Sequence, residues 1–147
     1  MNKEMVILIA EDDAGHFQLI KKNLWLACVN NDILQFKDGR QILDFLLETG
    51  DGTHLDETKQ YIVLLDVRMP RVDGLDVLKK MKENDRLRKI PVIMLTTTSE
   101  SGIIEQCYNL GCSCYMVKPV DYHRFMEAVQ NLGKFLSLDG LRLPSIG

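Results

Sequence analysis

Five short apolar runs, at residues 5–10, 33–36, 62–65, 92–95 and 115–117, alternate with stretches whose apolar residues recur at helical spacing. No other property of the chain restricts its fold as much. The runs are β-rich and continuous, as expected for parallel strands covered on both faces. Between them, Phe17, Ile20, Leu24 and Ala27/Cys28 form one apolar stripe. Ile42, Leu43, Leu46 and Leu47 form a second after Asp38-Gly39, and Leu75, Leu78 and Met81 a third after Asp73-Gly74. Ile103/Ile104, Cys107 and Leu110 form a fourth that stops at Gly111, a natural residue just past a helix end. Phe125, Ala128/Val129, Leu132 and Leu136 form a fifth after Asp121, an expected N-cap. Each stripe is one-sided, so all five helices are expected to pack on the sheet.

A strand–helix unit repeated five times in 147 residues predicts a single α/β domain with one sizeable core. Right-handed crossovers through the helices lead to a doubly wound, flavodoxin-like (βα)5 sandwich. The expected sheet is parallel and five-stranded, in the order 2-1-3-4-5, with its switch point between strands 1 and 3. The core is expected to span about residues 5–136 and the C-terminal tail residues 137–147.

Bulk properties remove several classes. A net charge of −3 with no long Lys/Arg run argues against a nucleic-acid partner. No apolar stretch approaches the roughly 20 residues needed to span a bilayer. The first apolar run is too short for a signal peptide, so no membrane contact and a cytoplasmic location are expected. Cys28, Cys107, Cys112 and Cys114 lack zinc-site spacing and read as core or near-core thiols. His16, His54 and His123 are expected at the surface. Residues 48–60, acidic and glycine-containing, read as a solvated insertion longer than the usual helix-to-strand connection.

The chemistry gathers at the strand ends. Asp66 ends the run Ile62 to Leu65, Met5 to Ala10 runs into Glu11-Asp12-Asp13, and Tyr115-Met116-Val117 runs into Lys118-Pro119. In open α/β sheets, ligands bind beyond the carboxyl ends of the strands. Acids and a lysine on one rim suit magnesium-dependent phosphorylation of an aspartate, which needs a nucleophile, a divalent cation and further donors. Asp13 and Asp66 are expected as direct Mg2+ ligands, with Asp12 acting directly or through water. Lys118 would pair with a phosphoryl oxygen or with Asp66, and Thr96 would donate its hydroxyl to another oxygen. A lone acidic run after a strand is more often a helix cap. Complementary groups at four strand tips together point to a site.

Asp12/Asp13, Asp66-Val67-Arg68-Met69-Pro70 with Asp73-Gly74, Thr96-Thr97 and Lys118-Pro119 resemble the motifs of the receiver domain of bacterial two-component response regulators. The similarity runs from about Met5 to Leu136. It implies that Asp66 accepts a phosphoryl group from a phosphohistidine on a sensor histidine kinase. It also implies that the backbone carbonyl of Arg68 is a metal ligand and that Lys118-Pro119 is a cis peptide. By the same resemblance, Thr96 and Tyr115 form a switch pair that remodels the surface of helix 4, strand 5 and helix 5, while Arg68 and Thr98 tune the lifetime of the phosphorylated state. No DNA-binding or catalytic module follows, so the chain is expected to be a stand-alone receiver that signals by protein–protein contact. It would catalyse its own phosphotransfer and dephosphorylation without being an enzyme for a separate substrate. The insertion before strand 3 and the segment Leu141-Arg142-Leu143-Pro144 are similar to small receivers that partner phytochrome-type histidine kinases, a subfamily that often forms homodimers.

Three rivals fare worse. A haloacid-dehalogenase-like phosphohydrolase needs an acid two residues after its nucleophile; Arg68 stands there and cannot do acid–base work near neutral pH. A flavodoxin-like cofactor protein would need a Gly/Ser/Thr-rich phosphate loop where this chain has Glu11-Asp12-Asp13. A silent adaptor would have no use for the whole set of site residues.

Overall fold

In the computed structural model, β1 (Met5–Ala10), β2 (Ile33–Phe36), β3 (Gln60–Asp66), β4 (Val92–Thr96) and β5 (Cys114–Val117) form one sheet in the order β2-β1-β3-β4-β5. Every strand pair is parallel. The helices between and after them are α1 (Ala14–Leu26), α2 (Gly39–Leu47), α3 (Gly74–Lys82), α4 (Ser101–Asn109) and α5 (Tyr122–Leu136), with a 3-10 turn at Leu87–Lys89. This is the doubly wound, flavodoxin-like arrangement that the alternation predicts. The structure describes residues 5–48, 55–96, 101–117 and 122–136.

The continuity of the apolar runs has a direct cause. Successive residues of a strand point to opposite faces of the sheet. Leu8, Ala10, Val63, Leu65, Val92 and Met94 join Ile42, Leu46, Leu78, Met81 and Cys107 in one core. Their strand neighbours Ile7, Ile9, Ile62, Leu64, Ile93 and Leu95 join Phe17, Ile20 and Leu24 of α1 and Val129 of α5 in another. Full coverage belongs to the inner strands, whereas the edges are thinner. Ile33, Leu34 and Gln35 of β2 are only half-buried, and Cys114 and Val117 of β5 are exposed.

Helix ends follow local chemistry. The Asp38 side chain caps α2 by accepting from Gln41 N–H at 2.8 Å, and Asp73 caps α3 by accepting from Asp76 N–H at 2.9 Å. Asp121 lies outside the described residues. Gly111, at φ 96°, ends α4 as expected, with Gly111 N–H bonded to Tyr108 O and Cys112 N–H to Cys107 O. That paired arrangement brings the residues before and after the turn into contact, and both Cys107 and Cys112 are buried.

The same turn ends α1, and it corrects one expectation. Cys28 N–H bonds to Trp25 O and Val29 N–H to Leu24 O, with Cys28 at φ 67°. The left-handed position faces outward, so Cys28 is exposed and Val29, 2% exposed, fills the core place assigned to the thiol. Cys114 is exposed as well. The near-core reading therefore holds for Cys107 and Cys112 only.

Among the described residues, a polar contact crosses the α1–α5 seam. Asn23, 2% exposed, accepts from Gln130 Nε2 at 2.8 Å and donates its own amide to Leu19 O at 2.8 Å. In the 48–60 connection, Leu55 is buried in the core and Asp56 N–H donates to Tyr61 Oη at 2.8 Å. Its second half is thus pinned to the body; residues 49–54 lie outside the described residues.

Candidate functional site

The β1–β3 register pairs Ala10 with Leu65, so Glu11 and Asp66 leave the sheet side by side. Glu11 N–H still bonds to Phe36 O at 3.0 Å, which extends the parallel ladder one residue past β1. Carboxylate oxygens of Glu11, Asp12 and Asp66 lie within 4.8 Å of one another. Glu11 is fully buried, Asp66 is 7% exposed, and Asp12 is exposed. Three carboxylates at this spacing form a hard, anionic oxygen pocket suited to a divalent cation, with Asp12 on the open side. Mutual repulsion among them favours capture of such an ion.

Asp13 is elsewhere, which corrects the expected set by one residue. Its Oδ1 accepts from His16 N–H at 2.9 Å, making it the N-cap of α1. Among the described residues, the acidic group contains Glu11 in its place. A helix starting at Ala14 needs a cap at residue 13, and aspartate is among the best available. The expected set contains neither Glu11 nor His16, which the structure brings together at the end of β1. The available signal was that cap requirement, which removes Asp13 from the rim and leaves the two acids before it.

Asp66 sits in a tightly turned tip. Arg68 N–H approaches Asp66 Oδ1 at 3.3 Å, Val67 N–H bonds to Leu95 O at 2.9 Å, and Gly74 N–H bonds to Val67 O at 2.7 Å. The loop that follows is fixed to α2: Arg71, at φ 68°, places Nε 3.0 Å from Asp38 Oδ2 and Nη2 3.2 Å from Asp38 Oδ1.

The remaining expected residues fall into two groups. Thr96 ends β4, paired with Val117 of β5, on the same rim as Asp66. Tyr115 is half-buried in β5, paired with Met94 and packed against the core beneath α2, α3 and α4. Lys118, Pro119, Thr97 and Thr98 lie outside the described residues, and with them the expected cis peptide. His16 is not the surface residue expected: its Nδ1 lies 3.3 Å from Glu11 Oε1 with the side chain 28% exposed. Among the described residues, no helix is long and apolar enough to cross a membrane.

A parallel sheet in this order, with an acid pocket across the ends of β1 and β3, is the architecture of a phosphorylatable receiver. Residues 7–130 match the model of the response regulator receiver domain, and the chain belongs to that family. A receiver domain from Rhodospirillum rubrum superposes with a TM-score of 0.84 at 40% identity, covering 95% of this chain and 97% of that one. The response regulator Rcp1 of Synechocystis is 28% identical over 144 residues, 98% of this chain and 96% of Rcp1. Its Mn(2+)-bound structure superposes with a TM-score of 0.84 over 95% of this chain and 99% of that one. The phosphorylated cyanobacterial phytochrome response regulator RcpA, 28% identical, superposes with a TM-score of 0.82 over 95% and 98%.

Proposed function

We propose that this chain is a single receiver domain that takes a phosphoryl group from a sensor histidine kinase onto Asp66, in a reaction that requires Mg2+. The observation that carries the reading is the convergence of Glu11, Asp12 and Asp66 within 4.8 Å at the ends of β1 and β3. An Asp66 carboxylate oxygen attacks phosphorus, the P–N bond of the phosphohistidine breaks, and the imidazole nitrogen keeps the electron pair and gains a proton. Bound Mg2+ supplies charge neutralisation of the phosphoryl oxygens. Glu11, Asp12 and Asp66 would hold it, together with the backbone carbonyl of Arg68. Lys118 and the hydroxyl of Thr96 would bind the remaining phosphoryl oxygens.

Thr96 and Tyr115 are then the switch pair, reading phosphorylation out through the face made by α4, β5 and α5. That is a local change of charge biasing a two-state element. Arg68 at the position where a hydrolase needs an acid supports a signalling role over turnover of a separate substrate. The likeness to RcpA, a cyanobacterial phytochrome response regulator, supports a phytochrome-type kinase as the donor; a homodimer as the assembly and the cytoplasm as the setting complete the reading. Output is by contact with another protein, and neither nucleic acid nor membrane is required.

Intact mass with acetyl phosphate tests the reading. The expected result is a Mg2+-dependent gain of one phosphoryl group in the wild type and none in Asp66→Asn. An unmodified wild type, even with a histidine kinase supplied, overturns it.

A further inference from the structure

Residue 16 engages two members of the acidic run and sends them in different directions. Its backbone N–H holds Asp13 Oδ1 at 2.9 Å, fixing that carboxylate as the cap of α1. Its side-chain Nδ1 lies 3.3 Å from Oε1 of Glu11, five residues earlier and fully buried. Position 16 is the third residue of α1, where a capping helix often carries Glu or Gln reaching back to the cap. Here the side chain reaches past the cap to the end of β1.

We infer that His16 is a positioning residue for the divalent cation, holding the buried Glu11 carboxylate in the orientation that places it with Asp12 and Asp66. The inference rests on the cation reading of that cluster. An ionised carboxylate only accepts hydrogen bonds, so a hydrogen bond across this contact is one that imidazole Nδ1 donates. Glu has one more rotatable bond than Asp, and an untethered Glu11 would have to give up more side-chain freedom to join the site. The His16 contact fixes that freedom in advance. His16 itself is not among the residues whose ligand atoms gather within 4.8 Å, so it acts through Glu11 and not as a ligand. Outer partners of this kind orient metal-ligating carboxylates, and their removal weakens metal binding.

Mg2+ binding to the full-length protein, measured by calorimetry with Mg2+ alone, tests this on the wild type, His16→Ala, His16→Asn and Glu11→Gln. Asparagine can place an amide N–H where imidazole Nδ1 stood, and it supplies the rescue. The expected result is a Kd weakened about tenfold in His16→Ala, the lower end of the range for lost outer partners, and largely restored in His16→Asn. A wild-type Kd in His16→Ala overturns the inference and leaves the cation site standing. So does a His16→Asn Kd as weak as that of His16→Ala. A Kd unchanged by Glu11→Gln overturns the inference together with the cluster reading beneath it.

Discussion

Gly74 lies against the carbonyl of Asp66 so closely that a Cβ on it would stand 2.1 Å from the oxygen and 2.9 Å from the Cα of Val67. The start of α3 is thereby pressed onto the backbone that carries Asp66, the proposed phosphoacceptor. Glycine is required by this approach, since the obstructing atoms are main chain and cannot turn aside. Gly74→Ala should cost about 1–3 kcal/mol, the range for overpacking, read as a lowered urea midpoint. It should also slow acetyl-phosphate labelling of Asp66, because relief of the clash displaces the Asp66 carbonyl. Stability equal to the wild type would contradict the close approach.

The acidic run can be separated by substitution. Glu11→Gln should weaken Mg2+ binding severalfold, because it removes one of the three carboxylate charges gathered there. Asp13→Ala should leave Mg2+ binding within about twofold while costing about 1 kcal/mol through loss of the α1 cap. Calorimetry with Mg2+ and chemical denaturation on both variants read the two effects independently. The reverse pattern would put Asp13, not Glu11, in the site.

Asp38 and Arg71 predict a pH dependence of stability. Burial pushes the Asp38 carboxyl up, but the N–H of Gln41 and the guanidinium of Arg71 outweigh it and hold it below its ordinary value. A carboxyl depressed in the folded state stabilises the fold above its unfolded pKa of about 3.9, and that contribution disappears as pH falls through the lower folded value. Asp38→Asn keeps a competent cap but loses the ion pair. It should therefore be less stable than the wild type at pH 7, with the gap narrowing below pH 4 in denaturation series. A gap that widens in acid would reverse the assigned sign.

Thiol accessibility gives a further check. Burial, reinforced by the neighbouring Cys112, pushes Cys107 up to about 11, and burial raises Cys112 as well. A thiol in such surroundings is a poor nucleophile at neutral pH. Native protein should react with an aromatic disulfide reagent at Cys28 and Cys114 and, much more slowly, at Cys107 and Cys112. Peptide mapping after a short pulse would identify them. Fast labelling of Cys107 would contradict the packing of α4.

The five strands and their order were legible because each inner strand feeds two cores and so must be apolar throughout. Edge strands are written less clearly: Ile33 and Leu34 look as buried as Ile62 and Val63, yet they border the sheet's open side. Phase within a charged run is not written at all. Glu11, Asp12 and Asp13 differ little as a string, and what separates them is where the β1 ladder stops and where α1 needs a cap. Cys28 failed for a related reason, since helical spacing places it on the apolar stripe while the terminating turn hands that place to Val29. His16 had no periodic signal, because its partner is a buried acid reached only when β1 and α1 are folded together.

The Asn23–Gln130 hydrogen bond has a mechanical meaning. Apolar seams between helices tolerate sliding, because one methyl group can replace another at little cost. A directed amide contact inside such a seam is lost on a slip of a single helical turn. It therefore bolts α1 to α5 in one register, at Gln130 in the rear half of α5. The bond thus gives α5 a defined axial position on α1, which a purely apolar seam would leave free to shift.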